Sequence, residues 1–353
     1  MTFSPKFQIT GNTMNNIAEI ERIKGLLQGL DINTKNLIRL QKQNAVMESH
    51  YSTHIEGTTL TLQQSKDALA GKKVKGLDKN DLKELKNYME ALEDTALLAK
   101  VRISEPLIKK LHKILVKGVR GDEVSPGDYR KKQNHVVNAA TGDVIYTPPP
   151  AGKVGVMMRE LVGWINRKKT VHPVIAAAIA QFWFVHIHPF RDGNGRAARI
   201  LSIMILNAAG YDFKRLFRLS EFYDKDRAKY YNAIQSARDM GLDLTYWVEY
   251  FTAGLHEQLK SVEKSVKISS EKGSEKGSEK SSEKILRFMK QNPLVSAVEM
   301  AEMLSISSRA VEKQIAQLKK QGRVKRDGAD KGGRWITLRE KVDPPSLKLR
   351  RTR

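Results

Sequence analysis

Residues 188–199 read HPFRDGNGRAAR, placing one imidazole, one carboxylate, an asparagine between two glycines, and three guanidinium groups within twelve positions. A turn through Gly193, Asn194 and Gly195 that feeds straight into a helix gathers unpaired backbone N–H groups at the positive end of the helix dipole. Such a place favours an anion, and glycines there let the backbone come close to a phosphate. Arg196 and Arg199 are three apart and share a helix face, so two guanidinium forks flank the same anion. One phosphate has no need of both, whereas a polyphosphate does. Asp192, just before the turn, suits the Mg2+ that accompanies a nucleotide, with waters and phosphate oxygens completing its shell. His188, with an ordinary pKa of about 6.5, is placed as a general base toward a hydroxyl nucleophile. The stretch therefore suggests attack on a nucleotide phosphate.

These groups need elements to hold them. Val174 to Ile187 is apolar nearly all round and follows Pro173, which suits a first helical turn, so a buried central helix is predicted. A second apolar helix is predicted from about Arg196 to Ala209, stopped by Gly210. The motif thus joins two buried helices. Leu37, Leu40, Met47 and Tyr51, then Leu82, Leu85, Met89 and Leu92, then Leu107, Leu111, Ile114 and Leu115 give further apolar helix faces. The exception is QNHVVNAATGDVIYT, residues 133–147, where β-branched runs flank a Thr-Gly-Asp turn and three prolines follow. It reads as a hairpin with an edge free to accept an extended peptide, or as a surface loop.

Rival readings of the motif exist. Gly193, Gly195 and Ala198 satisfy G-x-G-x-x-A with Asp212 near an acidic position, but a helix precedes them and no βαβ alternation is present. His186 and His188 have no third ligand at metal spacing, and His186 reads as a core histidine with a hydrogen-bond partner.

The loop also matches the signature H-x-F-x-D/E-G-N-G-R-x-x-R at every fixed position, through His188, Phe190, Asp192, Gly193, Asn194, Gly195, Arg196 and Arg199. In this the chain resembles the Fic family over about residues 1–259, most strongly over 127–240. The resemblance implies transfer of AMP from ATP to a Ser, Thr or Tyr hydroxyl of a protein target, or of the chain itself, with release of pyrophosphate. On it, His188 deprotonates the hydroxyl, Asp192 binds Mg2+, and Asn194 with the loop amides holds the α-phosphate. Arg196 and Arg199 engage the β- and γ-phosphates, and Phe190 seats the loop in the core. Tyr230 and Tyr231 resemble aromatics lining the family's adenine pocket, or are one core and one surface residue. The hairpin resembles the flap that docks a target segment, with Ile145 and Tyr146 as the pinning side chains. The fold class implied is mainly α, a Fic helical bundle with a small β-hairpin flap, followed by an α+β winged-helix domain.

STHIEGTTL, residues 52–60, resembles the S/T-x-x-x-E-G/N inhibitory helix motif of the same family through Ser52, Glu56 and Gly57. Ser52 and Glu56 are four apart and share one side of a helix expected over about 35–57. A carboxylate paired with Arg199 would occupy the guanidinium that the γ-phosphate of ATP needs, and would repel that phosphate. The alternatives are that Glu56 closes a helix and meets a surface cation, or that it aligns a water that removes AMP from a modified protein.

Beyond this core, SSEKGSEKGSEKSSEK, residues 269–284, reads as a flexible linker, with a frayed charged helix as the alternative. The expected organisation is an N-terminal helical region over 1–100, a catalytic core over 101–260, a linker over 261–284, a winged helix over 285–340 and a basic tail over 341–353. Helices near Ile285, from Ser296 to Leu304 and from Ser308 to Gln321, then strands near Val324 and Ile336, resemble a winged helix-turn-helix. Arg309, Lys313 and Lys320 are its candidate phosphate contacts, with DNA binding set against protein docking or homodimer formation. The whole chain also admits a second class of reading, a DNA-binding regulator that senses nucleotide without transferring it.

Composition sets outer bounds. Lys plus Arg outnumber Asp plus Glu by 62 to 39, which points to polyanionic partners, and the absence of cysteine excludes thiolate chemistry and disulfides. No apolar run reaches membrane-spanning length and Met1 to Phe7 lacks signal-peptide blocks, so a cytoplasmic protein with no membrane partner is expected.

Overall fold

The computed structural model describes residues 3–29, 34–97, 101–119, 125–137, 141–167, 171–278, 281–304, 306–328 and 333–338. The chain divides into two compact units, Met1–Ser265 and Val266–Arg353. In the first, the helices run α1 (Gly11–Gly29), α2 (Thr34–Ile55), α3 (Leu62–Leu69), α4 (Lys79–Leu97) and α5 (Glu105–Leu115). A two-stranded antiparallel hairpin follows, β1 (Val136–Val137) and β2 (Val144–Tyr146). Then come α6 (Val154–Asn166), α7 (Pro173–Ile187), α8 (Asn194–Ala208), α9 (Leu219–Lys225), α10 (Arg227–Asp239) and α11 (Thr245–Ser278), of which the part up to Ser265 belongs to this unit.

The centre is the α7–α8 pair. Residues Val174 to Ala180 of α7 are all buried, as expected for a helix apolar on every side, and Pro173 occupies its first turn. The Trp247 indole of α11 donates to the Ala178 carbonyl at 2.7 Å, satisfying the polar atom of a fully buried ring. α2 packs against α4 and α9, and α4 also against α5 and α8, so the N-terminal helices and the motif-bearing helices share one core. Side-chain hydrogen bonds fasten α2 along its length: Gln41 donates to the Lys214 carbonyl at 3.0 Å, Asn44 accepts from Arg218 at 2.8 Å, and buried Glu48 accepts the Ser220 N–H at 3.0 Å.

The second unit holds α12 (Ser281–Gln291), α13 (Ala297–Leu304) and α14 (Ser308–Lys320), then the antiparallel pair β3 (Val324–Asp327) and β4 (Arg334–Thr337). Ser296 and Glu299 cap the start of α13 reciprocally, and Ser307 caps α14. Ile285, Met289, Met300, Val311, Leu318 and Trp335 form its core. Three helices closed by a two-stranded wing make a winged helix.

Two expectations need correction. The Ser/Glu/Lys/Gly repeat was predicted as flexible coil, yet the backbone stays helical as far as Ser278. Extension of an established helix needs no new nucleus, and the two glycines at 273 and 277 oppose it by only about 1 kcal/mol each. The helix expected to reach Gly57 ends at Ile55, and Glu56 lies in a closing turn whose N–H meets the Thr53 carbonyl at 3.0 Å. The basic tail over 341–353 and most of the turn between β3 and β4 fall outside the described residues.

Candidate active site

His188 caps α7 with a left-handed backbone (φ 52°), donating its N–H to the Phe184 carbonyl at 3.0 Å. Its Nδ1 lies 3.3 Å from the Val185 carbonyl. Burial pushes the imidazole pKa down to about 4, so the ring is neutral at pH 7. A neutral ring beside a carbonyl carries its proton on Nδ1, which leaves the Nε2 lone pair as a base.

The loop after His188 is held from below. Phe190 is fully buried and stacks on His112 of α5, ring centroids 3.6 Å apart and planes within 2°. His112 accepts the Gly127 N–H at Nδ1 (2.9 Å), which fixes its proton on Nε2, and Nε2 donates to the Asp192 carbonyl at 3.0 Å. Arg130 gathers the carbonyls of His188 at 2.9 Å and Ile187 at 3.4 Å, and reaches that of Pro149 beyond the hairpin. Asn194 turns inward: its side chain accepts from the Phe190 N–H and donates to the Phe190 carbonyl, both at 2.9 Å. Gly193 then starts α8 from the left-handed region (φ 74°).

Two buried arginines flank the start of α8. Arg196, 1 % exposed, has Nη1 2.7 Å from Glu84 of α4 and Nη2 3.3 Å from Asp192. Arg199, 2 % exposed, donates from Nε to the Ser52 hydroxyl at 2.7 Å, and from Nη2 to the Ser52 carbonyl and the Glu56 carboxylate, both at 2.8 Å. Burial is the largest influence on Arg199 and opposes its charge, but Glu56, with Tyr230 and Tyr88, together more than offset it, so the group stays protonated. A Cβ at Gly195 would overlap Glu56 Oε1 and come within 3.2 Å of Arg199 Nη1. The carboxylate therefore rests against the first turn of α8, where unpaired N–H groups favour negative charge.

Comparison with known proteins gives this geometry a family. Residues 102–206 match the Fic/DOC family model, and residues 282–327 match an HTH domain model. The chain carries a Fic domain. It is 28% identical over 229 residues to the protein adenylyltransferase Fic of Drosophila willistoni, covering 63% of this chain and 43% of that one. With the protein adenylyltransferase Fic of Culex quinquefasciatus it shares 30% identity over 209 residues, 58% of this chain and 39% of that one. It spans about two fifths of the length of these curated relatives. Among solved structures, a Fic family protein from Desulfovibrio desulfuricans G20 superposes with a TM-score of 0.69 at 22% identity, covering 97% of this chain and 100% of that one. A Fic domain containing signaling protein from Bacteroides thetaiotaomicron VPI-5482 gives 0.59 at 26% identity, covering 71% and 94%.

The fold brings His188, Asp192, Gly193, Gly195, Arg196 and Arg199 together with Ser52 and Glu56 of the preceding helical region. Three assignments need correction. The Asn194 side chain accepts from and donates to the Phe190 backbone, which leaves one Nδ2–H and the main chain to face a phosphate. Tyr230 is a core residue stacked on Tyr223 at 4.4 Å, whereas Tyr231 is 49 % exposed and donates to the Ile55 carbonyl at 3.2 Å. Tyr146 faces inward, its hydroxyl donating to the His186 carbonyl at 2.9 Å and its ring covered by Arg238, which leaves Ile145, 53 % exposed, on the outer face. His112, Arg130 and Glu84 were missed. Each lies outside any motif, and a lone polar residue at a helical or loop position gives no sequence signal of what it meets.

His50, His112, His186 and His188 are all pushed down to about 4 by burial. The unfolded chain therefore binds more protons than the folded one between about pH 6.5 and pH 4, so stability falls as pH drops through that window. The urea midpoint should hold between pH 8 and 7 and decline steeply toward pH 5. A midpoint equal at pH 7 and pH 5 would contradict these burials.

Proposed function

We propose that the protein is an adenylyltransferase that moves AMP from ATP to a Ser, Thr or Tyr hydroxyl of a protein target or of itself, restrained by Glu56. The names of its relatives support the reaction class. One observation carries the restraint: buried Arg199 is held by Glu56 at 2.8 Å against the first turn of α8.

The phosphates of ATP lie along the N-terminal turn of α8, the α-phosphate on the loop amides and the γ-phosphate toward Arg199. His188 Nε2 takes the proton of the attacking hydroxyl. The hydroxyl oxygen bonds to the α-phosphorus, and the bond from that phosphorus to the bridging oxygen breaks as pyrophosphate leaves. Ile145 on the hairpin meets the target segment and Tyr231 borders the adenine side. The donor set fits Mg2+ only in part: no group of three acidic or histidine side chains able to hold a metal occurs among the described residues. Asp192 would be the residue to hold the ion, which would neutralise phosphate charge when bound. Glu56 restrains the reaction because its carboxylate already fills the Arg199 fork, leaving the γ-phosphate to meet a like charge.

Incubation with labelled ATP tests this. Glu56→Gly should raise covalent labelling of the protein or of lysate proteins by at least about tenfold, and His188→Ala in that background should abolish it. Equal labelling by wild type and Glu56→Gly would remove the restraint, and reversible binding without label would favour a nucleotide sensor.

The second unit supports a DNA-binding role. Arg309, Lys313 and Lys320 are exposed on α14 at spacings of four and seven, so they form one basic stripe. Full-length protein should be retained by random duplex DNA at low salt and released as salt rises. Replacing the three by Ala should weaken retention by more than about tenfold. Retention unchanged by the triple substitution would point to protein docking.

A further inference from the structure

Glu84 belongs to no motif, yet it is buried at 3 % exposure and its Oε2 stands 2.7 Å from Arg196 Nη1. It comes from α4, a different element from the loop it supports. Arg196 in turn reaches Asp192 Oδ2 at 3.3 Å, while Asp192 Oδ1 accepts the Gly193 N–H at 2.7 Å. The guanidinium thus stands between two carboxylates and lies closer to the buried one. One guanidinium is shared between two carboxyl groups. A guanidinium free of Glu84 would turn its fork wholly onto Asp192, neutralise it and make it a poor ligand for a cation.

We propose that Glu84 is a positioning residue for metal binding. By holding Arg196 from beneath, it keeps the charge of Asp192 available to the divalent ion that enters with the nucleotide. This rests on the adenylyltransferase reading, in which Asp192 holds Mg2+. Arg196, which the resemblance places on the phosphates, would then also brace the metal ligand, whereas Arg199 is contested by Glu56. Outer partners of metal ligands commonly change metal affinity by about 10- to 100-fold when removed.

The test uses full-length protein carrying Glu56→Gly, with Mn2+ as the probe, its binding followed by electron paramagnetic resonance in the presence of a non-hydrolysable ATP analogue. Glu84→Gln should weaken Mn2+ binding about tenfold, with analogue affinity measured without metal changing less than twofold. Glu84→Asp, which keeps the charge, should hold Mn2+ binding within about threefold of the parent, with analogue affinity without metal again unchanged; a loss as large as that of Glu84→Gln would overturn the proposal. Mn2+ affinity unmoved by Glu84→Gln would overturn this inference alone. A Glu56→Gly protein that binds no ATP analogue at any metal concentration would overturn the parent reading and this one with it.

Discussion

A guanidinium buried at the end of a helix must have an anion beside it. Arg199 is nearly inaccessible, and leaving such a cation uncompensated would cost several kcal/mol. The first turn of α8 adds its own demand, because its free N–H groups also favour negative charge. Glu56 meets both needs at once. Whatever replaces it must bring negative charge to the same spot, and a triphosphate does so. Restraint and substrate binding are therefore two ways of satisfying one buried charge.

That exchange requires α2 to stay in place when Glu56 departs. Gln41, Asn44, Glu48 and Ser52 tie successive turns of α2 to the chain around Lys214, Arg218, Ser220 and Arg199. Glu48 is buried, and the loss of water around its carboxylate raises its pKa, against which the Ser220 hydrogen bonds work. Glu56, by contrast, lies past the last helical residue, in a turn closed by Gly57 with φ 104°. Its neighbours stay fastened, His54 to Asp224 at 2.9 Å and the Ile55 carbonyl to Tyr231 at 3.2 Å, so only the Glu56 side chain need move.

The same division explains what the sequence revealed. Helices α7 and α8 were legible because an all-round apolar run and a glycine-rich turn each leave a local signature. His188, Asp192, Arg196 and Arg199 were legible because their chemistry is concentrated in twelve residues. The supports were not. His112 sits on an apolar helix face and would pass for a core residue, although its two ring nitrogens join Gly127 to the Asp192 carbonyl. Arg130 binds main-chain carbonyls, acceptors that every residue has and that no pattern marks. Asn194 and Tyr230 mislead in the opposite sense, since residue type suggests contact with ligand while packing turns both inward. Side-chain direction in a loop depends on what lies behind it, and that comes from distant segments.

If Glu56 competes for the place of one phosphate, its removal should matter only to nucleotides that carry that phosphate. Calorimetric affinities of ATP and ADP for wild type and for Glu56→Gly measure this directly. The account predicts that the substitution strengthens ATP binding about tenfold or more while leaving ADP within about twofold, so that a preference for the third phosphate appears only when the carboxylate is gone. An equal gain for both nucleotides, or none for either, would contradict the shared charge site from which the rest of the account is built.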